Sequence, residues 1–99
     1  MKNEGDVKKA IKKLLTSLDN CYWFMPPANG FGRSGIPDFI GHVNGKFFGI
    51  ETKFGDNKPT PNQIREIEKI IACGAVAHVV NEKALDEFTM QFIEWAKRC

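Results

Sequence analysis

The chain has 99 residues, of which 42% are hydrophobic and 26% charged, and its net charge is +2. That length supports one hydrophobic core, so a single domain spanning residues 1–99 is expected, and the apolar content excludes a disordered chain. The charge is uneven: residues 1–49 carry seven Lys/Arg against four Asp/Glu, and residues 50–99 carry seven against eight. A polyanion-binding surface is therefore sought in the first half.

The longest mainly apolar run, Ile70–Val80, has eleven residues and is broken by Gly74 and His78. A membrane-spanning helix needs roughly twenty. The start of the chain, Met-Lys-Asn-Glu-Gly-Asp, lacks the apolar stretch of a secretory signal. Cys21, Cys73 and Cys99 are an odd number at wide spacing, which argues against a disulfide framework or a zinc site. A reducing, cytoplasmic setting without a membrane is expected.

In chain order, Val7, Ile11, Leu14 and Leu18 recur at three- and four-residue steps and predict a helix over 3–18. Cys21–Met25 is short, apolar and aromatic and predicts a strand, ended by Pro26-Pro27. A glycine-rich loop follows over 28–36. A second strand is expected over 38–43 and a third over 46–54, joined at Asn44-Gly45, whose residues tolerate the positive φ of a two-residue type I′ turn. A helix is predicted over 61–73, with Thr60 as N-cap, Pro61 at the first position and Gln63 completing a capping box. Ala75–Val80 reads as a continuously apolar, buried strand. The final helix is expected over 83–97, with a stripe of Leu85, Phe88, Phe92 and Trp95 or Ala96.

The order α-β-β-β-α-β-α predicts an α/β fold: a mixed sheet with helices on both faces and a parallel, right-handed connection through the second helix. Both parities of the hairpin carry apolar residues, Phe39 and Ile50 on one side and Ile40 and Phe47 on the other. The sheet is therefore expected to be buried on both faces.

The hairpin also gathers charge. With a two-residue turn, Val43 faces Lys46, and the same ladder places Asp38 opposite Glu51. Directly opposed residues have Cβ atoms about 4.5–5.5 Å apart. Lys53, two residues on, shares the face of Glu51. At about 4 Å two like charges repel by about 1 kcal/mol in water and about 4 kcal/mol at an effective dielectric of 20. A cation or a shared proton relieves that cost. A hard divalent ion such as Mg²⁺ takes one or two carboxylates, waters and substrate phosphates, activates water and neutralises phosphoryl charge. Lys53 would hold the attacking water or stabilise pentacovalent phosphorus. The alternative is that Glu51 and Lys53 are surface residues and Asp38 starts a turn.

Gly35-Ile36-Pro37-Asp38, Glu51-Thr52-Lys53 and Gln63 at a helix start together resemble the virus-type replication-repair nuclease domain (VRR-NUC), a branch of the PD-(D/E)XK nuclease superfamily. The similarity runs from Glu4 to about Val80. The resemblance implies a restriction-endonuclease-like fold and hydrolysis of DNA phosphodiesters with Mg²⁺, for which Mn²⁺ substitutes. It implies Asp38, Glu51 and the Thr52 backbone carbonyl as metal ligands, Glu4 on the first helix completing them, and Lys53 and Gln63 as catalytic partners. It also implies a homodimer acting on branched DNA such as four-way junctions or flaps, 5′-phosphate and 3′-hydroxyl products, and a host-cytoplasmic location for a viral member. The rivals are a branched-DNA-binding module without activity, and a nuclease of linear DNA or RNA.

Other signals divide between two readings each. Glu4 lies on the apolar side of the first helix and is either a ligand or an acid favouring the helix dipole. Gln63 is a capping residue and a site residue in one. Gly30 to Gly35 spells G-x-G-x-x-G, but Pro37 and a strand follow in place of a helix, so no nucleotide cofactor is expected. In that loop Arg33 and Ser34 are candidate phosphate contacts and Phe31 a candidate base stack, against a plain solvent loop. Lys8, Lys9, Lys12 and Lys13 either track phosphates or belong to a solvated helix face, with Lys8 and Lys12 the candidate phosphate contacts. His42 and His78 read as packing residues rather than metal ligands.

Overall fold

The computed structural model describes residues 1–27 and 32–99. The elements run α1 (Glu4–Ser17), β1 (Cys21–Phe24), β2 (Phe39–Val43), β3 (Lys46–Thr52), α2 (Pro61–Ala72), β4 (Val76–Val80) and α3 (Leu85–Arg98). The anticipated order is reproduced, with no element end displaced by more than two residues. The ends follow local chemistry. Asn3 accepts the Asp6 N–H to cap α1, and the reciprocal Thr60–Gln63 capping box opens α2 behind Pro61.

Among the described residues the sheet has four strands in the order β1-β2-β3-β4, antiparallel except for the parallel β3/β4 pair. The β2/β3 register runs from Val43↔Lys46 to Phe39↔Ile50. It is set by Asn44 and Gly45, whose φ values of 50° and 84° are those of a type I′ turn.

One sheet face carries Phe39, Val43, Phe48 and Ile50, packed beneath α1 and α3 with Ile11, Leu15, Leu85, Phe88 and Phe92. Phe48 meets Phe92 edge-on at 5.1 Å between ring centroids and reaches Trp95 at 6.3 Å. Burying each such side chain contributes roughly 1.5–3 kcal/mol. His78 packs edge-on against Phe88 and Phe92, and burial lowers its pKa.

The opposite face departs from the expectation of burial on both sides. α2 packs against β3 and β4 but contributes no fully buried residue, and Phe47, Ile64 and Ile71 stay exposed. β4, read from its composition as buried, is the last strand of the sheet with only Val80 buried. Apolar composition measured hydrophobicity there, not the number of layers above the strand.

Candidate active site

The site forms where β2 begins, β3 ends and α2 begins. The chain reaches β2 through Gly35, which takes φ 89°. A Cβ on Gly35 would lie 2.8 Å from Gln63 N and closer still to the Asn62 carbonyl. Glycine is thus required both for the left-handed backbone and for the close approach. Ser34 Oγ accepts a hydrogen bond from Asn62 Nδ2 at 2.9 Å. The segment leading to Asp38 is thereby seated on the helix that carries Gln63.

Asp38 and Glu51 come one step beyond the last ladder pair, Phe39↔Ile50. Asp38 Oδ2 accepts from the Thr52 N–H at 2.9 Å and from Thr52 Oγ1 at 2.7 Å. These charge-assisted bonds orient the carboxylate from the strand that bears the second acid. Glu51 is only 2% exposed. Its Oε2 accepts from Gln63 Nε2 at 2.9 Å and lies 3.5 Å from Lys53 Nζ. Its Oε1 is buried and has no hydrogen-bond partner among the described residues. Burial, then the charge of Asp38, push the Glu51 pKa up to about 7, while Lys53 opposes the rise.

Gln63 is used at both ends of its amide. Oε1 accepts from the Thr60 N–H at 2.9 Å and Nε2 donates to Glu51. The capping and site readings of Gln63 are therefore one arrangement: the cap fixes the side chain that holds the acid.

Glu4 and Lys8 stand one turn apart on α1. Lys8 Nζ is 2.7 Å from Glu4 Oε2 and 3.8 Å from Asp38 Oδ2. Burial works against the Lys8 charge, but the hydrogen bond to Glu4 and the charges of Asp38, Glu4 and Glu51 outweigh it and raise its pKa. Glu4 is thus joined to the acids through Lys8. Among the described residues no three His, Cys, Asp or Glu side chains gather as a ligand set.

The donor chemistry fits a hard cation. Two opposed carboxylates are present, and one buried oxygen lacks, among the described residues, the partner that a buried acceptor ordinarily has. The same oxygen would be costly in a purely structural acid.

A solved structure described as "VRR_NUC domain" superposes on the chain with a TM-score of 0.70 at 32% identity, covering 85% of this chain and 90% of that one. "Putative nuclease p44" of Acyrthosiphon pisum secondary endosymbiont phage 1 is 37% identical over 84 residues, 83% of this chain and 86% of that protein. The chain belongs to the VRR-NUC nuclease family. A further structure, "VRR_NUC domain protein", shares the fold with a TM-score of 0.72 at 21% identity, over 96% of this chain and 88% of that one. A scan of protein-family models gives no match.

In this VRR-NUC domain the candidate nucleic-acid residues are dispersed. Arg33 is exposed and its Nε lies 2.9 Å from Glu66 Oε1 on α2. Lys12 is exposed on α1. Phe31 and Gly30 lie outside the described residues. Two features escaped the sequence reading. Thr52 grips Asp38 through its N–H and hydroxyl, whereas only its carbonyl had been singled out. Lys8 turns toward the acids rather than belonging to an open basic face. The Glu4–Lys8 spacing of four, a favoured helix ion pair, was the available signal.

Proposed function

We propose that this VRR-NUC chain is a divalent-metal-dependent endonuclease that hydrolyses DNA phosphodiester bonds, selectively on branched DNA such as four-way junctions or flaps. The observation that carries the reading is Glu51 Oε1, a buried oxygen without a hydrogen-bond partner among the described residues, on an acid opposed to a second acid. Family membership supports the nuclease chemistry.

Asp38 and Glu51, with the Thr52 backbone carbonyl and Glu4, would hold Mg²⁺, or Mn²⁺ in its place. Bound there, the ion supplies a water of lowered pKa and neutralises charge on the phosphoryl group. The protein groups do the rest. Gln63 and Thr52 keep the two carboxylates in place. Lys53 donates hydrogen bonds from its ammonium to the attacking water and to the phosphate oxygen that gains charge. Water oxygen adds to phosphorus in line, the bond from phosphorus to O3′ breaks, and O3′ leaves with a proton, giving a 5′-phosphate and a 3′-hydroxyl. Arg33, Ser34 and Lys12 would contact the phosphate backbone around the site.

Cutting both strands of a junction from one site per chain calls for two chains, and a symmetric substrate suits a symmetric dimer. A phage-encoded relative suits action in a host cytoplasm, and no helix among the described residues is long and apolar enough to cross a membrane.

The test incubates labelled four-way, flap and linear DNA, and RNA, with Mg²⁺ or EDTA, using wild type and Lys53→Ala. Cleavage of branched DNA only with Mg²⁺ and only by wild type is expected. Intact DNA in both conditions, with tight binding, would make the chain a binding module. Preferential cutting of linear DNA or RNA would remove the branched selectivity. Equal cleavage by Lys53→Ala would overturn the site.

A further inference from the structure

We propose that Lys8 is a resident counter-cation of the acid site, and that a divalent ion enters by exchange: Lys8 gives up Asp38 and releases Glu4 to the ion. The inference deepens the metal-dependent reading above and rests on it.

Two observations lead here. First, the acids are divided between two ammonium groups. Lys53 Nζ lies 3.5 Å from Glu51 Oε2, and Lys8 Nζ lies 3.8 Å from Asp38 Oδ2. Lys53 sits on the same strand face as its acid, but Lys8 comes from α1, with its side chain 28% exposed and able to withdraw to solvent. Second, Lys8 Nζ is only 2.7 Å from Glu4 Oε2, so the acid on α1 that could join Asp38 and Glu51 is engaged by the same ammonium. One side chain thus neutralises Asp38 and occupies Glu4 together.

This arrangement has effects of opposite sign. In the metal-free protein, removal of the Lys8 charge leaves Glu4, Asp38 and Glu51 less compensated, and the fold loses stability. Toward a divalent ion, the same removal takes away a positive charge beside a ligand and frees Glu4, so affinity rises. A lysine that merely braced α1 would weaken both properties when removed.

The test uses the full chain with Mn²⁺ as probe. Calorimetric titration gives the Kd, and thermal melting in EDTA gives the metal-free Tm, for wild type, Lys8→Met, Lys8→Arg and Asp38→Asn. Lys8→Met is expected to melt lower in EDTA and to bind Mn²⁺ at least about tenfold more tightly, the scale of one like charge removed at short range. Lys8→Arg should resemble wild type in both. If Lys8→Met does not fold, Lys8→Gln carries the same comparison. A variant Kd equal to or weaker than that of wild type overturns the exchange. Binding by wild type that Asp38→Asn abolishes keeps the metal reading intact even then. Absence of Mn²⁺ binding in wild type overturns the metal reading itself, and the exchange falls with it.

Discussion

Glu51→Gln should stabilise the metal-free protein, by an amount set by pH. The Glu51 carboxyl is buried, and its pKa rises from 4.5 to about 7 in the fold. Between those values the unfolded chain has already lost the proton while the folded chain still holds it. Stability therefore falls as pH rises through this window and levels off above about 7. At about 1.4 kcal/mol per pH unit, the ionised group costs the fold about 3 kcal/mol by pH 8. Glutamine keeps the shape, can still accept from Gln63 and has no proton to release. Its advantage over wild type should be small at pH 4.5 and grow to about 3 kcal/mol at pH 8. With a urea m-value of about 1 kcal/mol/M, the difference in midpoint should widen by roughly 2–3 M across that range. Urea titrations of both proteins in EDTA, at half-unit pH intervals, measure it. A gap that stays constant from pH 4.5 to pH 8, or that closes as pH rises, would refute the account of Glu51 as a carboxylate held at a cost.

Three other outcomes are expected. Divalent-ion affinity should rise about tenfold per pH unit up to about pH 7 and then flatten, because the ion displaces the Glu51 proton; Mn²⁺ titrations at several pH values check the slope. Lys53→Met should lower cleavage by about 10²–10³-fold, the scale of a lost charge-stabilising donor, while its far-ultraviolet dichroism stays that of wild type. Gly35→Ala should cost at least about 1–3 kcal/mol through its left-handed backbone alone. The clash with the Asn62–Gln63 backbone adds to that, and cleavage should fall with it, read by urea midpoint and nuclease assay on one preparation.

The fold was legible mainly where one local rule fixed many residues. The Asn44-Gly45 turn set the parity of the whole hairpin, so the opposition of Asp38 and Glu51 followed from counting. The Thr60–Gln63 box marked the start of α2, and the continuation of that side chain into Glu51 could be suspected from its position. What stayed hidden depended on how elements sit against one another. Helical periodicity separates the apolar stripe of α1 from the rest but does not say that its rim overhangs Asp38, so Lys8 read as one basic residue among four. The hydrophobicity of Val76–Val80 could not distinguish a central strand from an edge. Nor could the pattern of Phe47 and Ile40 reveal that α2 leaves one sheet face half covered.

The hairpin tip constrains how the gene for such a protein can drift. Because the pleat alternates, a one-residue slip of β3 against β2 would invert every position of β3, turning Glu51 into the greasy layer beside Phe88 and bringing Thr52 out in its stead. An exposed arc far from the chemistry therefore guards the acids, and relatives that still cut should keep a tight turn there or absorb an added residue within it as a bulge.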